Sequence, residues 1–66
     1  MIRIEAITGE VAELAHHTNA AGLQFIRVKV MAPGDQDRRM NVWLPRRDAA
    51  GLSLGTQVRV TVEVLP

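Results

Sequence analysis

Apolar and polar residues alternate with a period of two along most of this chain. Such alternation is typical of strands that bury one face and expose the other to water. It is clearest from Gln57 to Val64, where valine occupies every second position, and it recurs from Leu23 to Met31 and from Arg39 to Leu44. Parallel sheets are built from continuous apolar runs, so these half-polar segments predict an antiparallel sheet.

The N-terminal segment also has the pattern of a strand, but its alternation changes parity. Even positions are apolar from Ile2 to Ala6, and odd positions follow from Ile7 to Val11. A change of face beside Gly9 predicts a bulged, strongly bent strand that is able to serve two sheets. A helical turn over Glu10 to Ala15 is the alternative.

Three connections complete the predicted order of elements. The polar segment from Ala15 to Gly22, which includes the two histidines, has the composition of a hairpin loop. Pro33-Gly34, within Ala32 to Asp37, is a turn dipeptide between the second and third strands. Proline at a first helical position, two alanines and a terminal glycine predict a short helix from Pro45 to Gly51.

The elements together predict an all-β fold: a small antiparallel OB-like barrel with one short helix between the third and fourth strands. Residues 1–66 form a single domain, with four strands and a bend where that fold has five strands. A partner subunit could donate the fifth strand. The predicted inward positions are Ile2, Ile4, Val11, Ile26, Val28, Val30, Met40, Val42, Leu44, Leu54, Val58, Val60 and Val62.

Small size and the absence of cysteine favour self-association. A chain of 66 residues buries only about 60% of the surface of its unfolded form, and no disulfide can compensate. Domains of this kind often gain stability by forming oligomers, so we expect a dimer or a higher assembly. The apolar runs are too short for a membrane span, no secretory signal is visible, and a cytoplasmic location without a membrane partner is expected.

Cations and aromatic rings concentrate on the predicted outer face of the two middle strands. If Val28 pairs with Val42, the same register sets Arg27 opposite Trp43. Stacking of a base on an aromatic ring, with cations along the phosphates, is how OB-type proteins hold single strands. The predicted ligand-binding residues are therefore Phe25, Arg27, Lys29, Arg39, Trp43, Arg46 and Arg47. There are two alternatives. In the first, Arg27 covers Trp43 by a cation–π contact. In the second, this face is buried between subunits in an assembly or scaffold protein.

Catalytic and metal chemistry find no support in the sequence. Without cysteine there is neither a thiol nucleophile nor a Cys-based zinc site. His16 and His17 are adjacent, so in an extended chain they point to opposite faces. The only serine, Ser53, lies between leucines without a glycine-rich elbow. The sequence predicts a non-enzymatic binding module with no cofactor and no metal, although a net charge of +1 is low for a nucleic-acid-binding protein.

Most of the chain resembles, in outline, the molybdate-binding MOP and TOBE domains. The resemblance lies in Gly9-Glu10-Val11, in the strand from Phe25 to Val30, and in the segment from Leu52 to Val58. It implies a small OB-like barrel that oligomerises and binds oxyanions between subunits. The family's N-terminal Ser-Ala-Arg-Asn signature is absent from the matching region, Arg3 to Ile7. The segment from Leu44 to Val58 is also similar to the end of AbrB-type DNA-binding folds.

Overall fold

Four antiparallel strands make up the fold, and the computed structural model describes all 66 residues. The strands are β1 (Ile2–Thr18), β2 (Gln24–Ala32), β3 (Asp35–Pro45) and β4 (Gln57–Val64). They form one sheet in the order β3-β2-β1-β4, which curls into half of a barrel. The all-β class and the antiparallel arrangement predicted from the alternation are therefore confirmed.

β1 connects the two halves of the sheet because it is nearly twice as long as its neighbours. Its first half, Ile2–Glu10, pairs with β4, and its second half, Glu10–Thr18, pairs with β2. Of the two alternatives for Glu10 to Ala15, the strand is correct and the helical turn is wrong. One bent strand thus serves two partners, within a single curled sheet.

Two β-bulges produce the bend in β1. In the first, Ile4 lies opposite Val62 while Ile7 lies opposite Val60, so Ala6 between them is the extra residue. The bulge keeps Ile4 and Ile7 on one face although they are three positions apart, which confirms the predicted change of parity. A second bulge follows Val11, and the alternation of apolar residues does not predict it.

The hairpin of β2 and β3 has the register on which the predicted outer face depends. Val28 lies opposite Val42, and Arg27 lies opposite Trp43. β2 has the predicted length and is shifted by one residue, whereas β3 is longer than predicted because it already begins at Asp35. The connection is the dipeptide Pro33-Gly34, and the φ angle of 70° at its glycine is in the region that favours this residue.

The core lies on the inner face of the curl and is small. Its buried members are Ile7, Val11, Ile26, Val28, Val30 and Ala49. Leu14, Ala32, Met40, Leu44, Leu52, Val58 and Val60 pack against them at partial exposure. Four predicted inward residues are instead exposed: Ile2 by 60%, Ile4 by 52%, Val62 by 50% and Leu54 by 67%. The first three lie where the start of β1 pairs with the end of β4, and Leu54 lies in the loop before β4.

The predicted short helix from Pro45 to Gly51 is not formed, and the segment is a series of turns. Pro45 remains in β3 opposite Phe25, and the Arg46 N–H donates to the carbonyl of Gln24 at 3.1 Å. The six residues from Arg46 to Gly51 instead form successive turns, in which the N–H groups of Asp48 and Ala49 donate to the carbonyl of Pro45. The segment still covers the core through the buried Ala49. The structure therefore contains no helix that is long and apolar enough to cross a bilayer.

The predicted loop from Ala15 to Gly22 is also shorter than expected. His16 and His17 belong to β1, which continues to Thr18. The loop proper centres on Asn19, whose side-chain Oδ1 accepts the N–H groups of Ala21 and Leu23 at 2.9 and 3.0 Å. This local turn chemistry ends the strand after the histidines, and so both of them lie within the sheet.

Candidate functional site

The outer face of β1, β2 and β3 presents three rows of side chains at one end of the sheet. Read across the three strands, the rows are Glu13–Lys29–Asn41, Ala15–Arg27–Trp43 and His17–Phe25–Pro45. The strand pairing thus brings four of the predicted ligand-binding residues, Phe25, Arg27, Lys29 and Trp43, onto one surface.

Trp43 is the most prominent side chain of this face, with 55% of its surface exposed. Its ring packs against His17, with 4.9 Å between the ring centroids and an interplanar angle of 55°. The two residues lie on β3 and β1, so they approach each other across β2, which carries the half-buried Phe25. The contact limits the mobility of the indole and leaves much of its surface accessible to a ligand.

Glu13 binds the two cations of β2. Its Oε1 accepts a hydrogen bond from Nη2 of Arg27 at 2.6 Å, and its Oε2 lies 3.4 Å from Nζ of Lys29. The hydrogen bond and charge of Lys29, followed by the charge of Arg27, lower the pKa of the Glu13 carboxyl below its ordinary value. Glu13 is therefore ionised at neutral pH, and it offsets part of the positive charge that the sequence placed here.

The position of Arg27 excludes one of the alternatives. Its guanidinium is directed towards Glu13, and the ring in contact with Trp43 is that of His17. The predicted cation–π contact between Arg27 and Trp43 is therefore not formed. The Nε–H of Arg27 is buried without a hydrogen-bond partner, and leaving a polar group in that state costs about 1–3 kcal/mol.

Arg46 and Arg47 border an open pocket at the end of this face. The pocket measures about 390 Å³ and is lined by Leu23, Gln24, Phe25, Pro45, Arg46 and Arg47. Nη1 of Arg46 donates to Oε1 of Gln24 at 2.7 Å, which holds the guanidinium at the rim without neutralising it. Nε of Arg47 is 3.8 Å from Oδ1 of Asp48, and 88% of the Arg47 side chain is exposed. An ion pair this exposed contributes little, so Arg47 remains available to an anion.

Arg39 stands apart from the other predicted site residues. It is exposed and lies opposite Met31, four positions along β3 from Trp43. At about 3.3 Å per residue the separation is about 13 Å. Phe25, Trp43, Arg46 and Arg47 are thus at one end of the face, and Arg27 and Lys29 are in the middle. Arg39 lies at the far end.

His17 and Glu13 belong to this face although they are not among the predicted ligand-binding residues. The composition of the segment from Ala15 to Gly22 predicts a loop at His17, and no motif singles out Glu13. The available signal was the pair His16-His17 itself: if β1 continues that far, one of the two must share the face of Trp43. Ala12, the extra residue at the second bulge, has no distinctive chemistry and so concealed the shift.

No cluster of three or more histidine, cysteine, aspartate or glutamate residues that could hold a metal ion is present. No protein-family model matches the chain, and no curated protein or solved structure is significantly similar to it. The resemblance to MOP and TOBE domains therefore stays a prediction.

Proposed function

We propose that this chain is a non-enzymatic binding module that holds single-stranded nucleic acid on the outer face of β1, β2 and β3. The observation that carries the proposal is the exposed Trp43, held against His17 beside a pocket bordered by Arg46 and Arg47. A π-face for a base and cations for its phosphates are the two elements of sequence-tolerant single-strand binding.

Each residue has a distinct role in this proposal. Trp43 stacks on a base, and His17 fixes the angle of the indole. Phe25, half-buried between them, forms the apolar wall of the pocket, where a neighbouring base or sugar would lie. Arg46 and Arg47 contact the phosphate that follows. Arg39 contacts the nucleic-acid backbone about 13 Å from Trp43.

An OB-like interpretation of the fold accords with this proposal. The curled antiparallel sheet and the turn segment that covers the core through Ala49 are the supporting observations. In OB-type proteins the middle strands carry the ligand. Here these strands are β2 and β3, with the adjoining half of β1.

Binding to a fluorescently labelled thymidine oligonucleotide of about 12 nucleotides, followed by anisotropy, tests the proposal directly. Trp43→Ala removes the stacking surface, worth about 1–3 kcal/mol per base, and should raise the Kd roughly 5- to 150-fold. Trp43→Phe keeps an aromatic face and should retain most of the affinity. Leu54→Ala removes an exposed apolar residue from a distant loop and serves as the control. Equal affinities for all four proteins would refute the proposal.

Glu13 provides a second test, with an effect in the opposite direction. Glu13→Gln releases Arg27 and Lys29 from their shared carboxylate and should tighten binding. Each additional phosphate contact to a single strand steepens the dependence of log K on log salt by about 0.7. Arg46→Gln and Arg47→Gln should each reduce that slope by a similar amount. Arg3→Gln, on the far half of β1, should leave it unchanged.

Two other functions predict different results from the same proteins. If the Trp43 face is a subunit interface in a scaffold, Trp43→Ala lowers the oligomeric mass and the oligonucleotide has no effect. If the chain binds oxyanions, as the resemblance to MOP and TOBE domains implies, molybdate or sulfate raises the thermal stability while the oligonucleotide does not. Either pattern would replace nucleic-acid binding as the function of this chain.

A further inference from the structure

The inner, apolar face of the sheet continues past the core onto a part of β1 and β4 that nothing covers. Ile2 lies directly opposite Val64, and Ile4 lies opposite Val62. These four side chains are exposed by 46–60%. They line up with the core pair Ile7 and Val60, so the uncovered surface is an extension of the buried one. This end of the sheet lies on the side away from Trp43 and is separate from the proposed nucleic-acid face.

β4 is an edge strand with few of the usual defences against pairing. It contains no proline and no lysine, and no β-bulge interrupts it between Val60 and Val64. Its free edge offers unpaired N–H and C=O groups, the arrangement that templates addition of another strand. Its outer face carries Arg59, Thr61 and Glu63 in succession. The positive charge of Arg59 and the negative charge of Glu63 are therefore each two residues away from Thr61.

We propose that β4 pairs antiparallel with β4 of a second copy, about a two-fold axis that passes beside Thr61. In this register Thr61 lies opposite its own symmetry mate, and Arg59 lies opposite the second copy's Glu63. On the inner face Val60 lies opposite the second copy's Val62, and Val58 lies opposite its Val64. All seven positions from 58 to 64 are matched, and no like charges meet.

Charge complementarity selects this register among the two-fold alternatives. An axis at Arg59 or at Glu63 would place like charges directly opposite each other. An axis at Val60 or at Val62 would leave Arg59 without an opposite acid. Only the axis at Thr61 pairs the arginine of each copy with the glutamate of the other, and like-charge pairs across strands are destabilising.

Ion pairs within each chain extend the same pattern. Nη2 of Arg3 is 2.9 Å from Oε1 of Glu63, and Nε of Arg59 is 3.0 Å from Oε1 of Glu5. Joining two copies creates a row of alternating charge across the axis: Arg3, Glu63, the second copy's Arg59 and its Glu5. The dimer is thus one eight-stranded sheet whose uncovered apolar ends meet.

Disulfide trapping tests this register cleanly because the chain has no cysteine of its own. Directly opposite residues of antiparallel strands have Cα atoms about 4.5–5.5 Å apart, within the range that a disulfide spans. Thr61→Cys should therefore form a covalent dimer under mild oxidation at least tenfold faster than Thr8→Cys. Thr8 is an exposed threonine on the outer face of β1, away from the edge. A mixture of Arg59→Cys and Glu63→Cys should form the mixed disulfide in preference to either homodimer.

Sedimentation equilibrium of the unmodified protein gives an independent measurement. The proposal predicts a mass of twice 7.3 kDa that dissociates on dilution. Arg59→Glu should weaken the dimer, because it sets a glutamate opposite the second copy's Glu63 on each side of the axis. A mass of 7.3 kDa at all concentrations would overturn the proposal. A dimer in which Thr61→Cys oxidises no faster than Thr8→Cys would overturn it equally, since the interface would then lie elsewhere.

Discussion

Gly9 is the position at which a single added methyl group should damage the fold most. It lies in β1 just before the strand passes from β4 to β2, and this crossing brings the backbones of β1 and β2 unusually close. A Cβ at Gly9 would be 1.9 Å from the carbonyl oxygen of Met31 and 3.1 Å from Cα of Ala32. Both obstacles are backbone atoms, which cannot rotate away as a side chain can. The backbone of β1 or β2 would have to move by at least 1 Å to bring the Cβ and the carbonyl oxygen to an ordinary contact distance.

The expected cost of Gly9→Ala follows from this geometry. Overpacking a well-packed interior by one or two carbons costs typically 1–3 kcal/mol, and a clash with backbone belongs at the upper end, about 3 kcal/mol. A chain of this length has a free energy of unfolding of about 3–10 kcal/mol, at roughly 0.05–0.15 kcal/mol per residue. Gly9→Ala should therefore remove a third or more of the stability.

Urea denaturation followed by far-UV circular dichroism measures this loss. With a slope near 1 kcal/mol/M for so small a domain, the midpoint should fall by about 3 M. Gly51→Ala is the matched control, because nothing lies within 4 Å of its added methyl group and its φ angle is not positive. It should leave the midpoint unchanged or raise it slightly. If Gly9→Ala unfolds at the same urea concentration as Gly51→Ala, the close crossing of β1 and β2 is wrong.

Two further predictions concern stability. The pKa of Glu13 is lowered in the folded protein by Lys29 and then by Arg27. The stability that Glu13 contributes should therefore be present above its ordinary pKa of 4.5 and be lost as the pH falls through the lower folded value. Urea midpoints of the wild type and Glu13→Gln should differ at pH 7 and converge in acid; a constant difference would contradict the shift. Val30→Ala removes two methyl groups from a side chain that is 1% exposed, and it should lower the free energy of unfolding by about 2–3 kcal/mol. Leu54 is 67% exposed, so Leu54→Ala should lower it by less than about 0.5 kcal/mol in the same urea assay.

The strands with one clearly buried face were predictable because a register slip there would expose every apolar residue at once. Alternation alone located β4 from Gln57 to Val64, which is confirmed. The pairing of Val28 with Val42, which entered the prediction of the outer face as a condition, is present in the structure. The bend in β1 was also predictable, because the apolar residues change from even to odd positions near Gly9.

The remaining features depend on contacts that alternation does not reveal. The turn segment after Pro45 has a helix-like composition, but pairing with Phe25 keeps that proline in β3. Nothing in the sequence distinguishes Val62 from Val60, because the two differ only in whether another element covers them. In the candidate site, strand pairing placed Trp43 beside Arg27 as expected. The second bulge brought His17 and Glu13 to the same face, and this changed both the aromatic contact and the charge.

The intrinsic fluorescence of Trp43 tests the proposed binding face most directly, because the chain has one tryptophan and no tyrosine. The free protein should emit at the long wavelength typical of a solvent-exposed indole. Addition of a short thymidine oligonucleotide should quench that emission, with weaker binding at about 200 mM than at about 50 mM salt. Emission that is already blue-shifted in the free protein and unaffected by the oligonucleotide at either salt concentration would contradict the account.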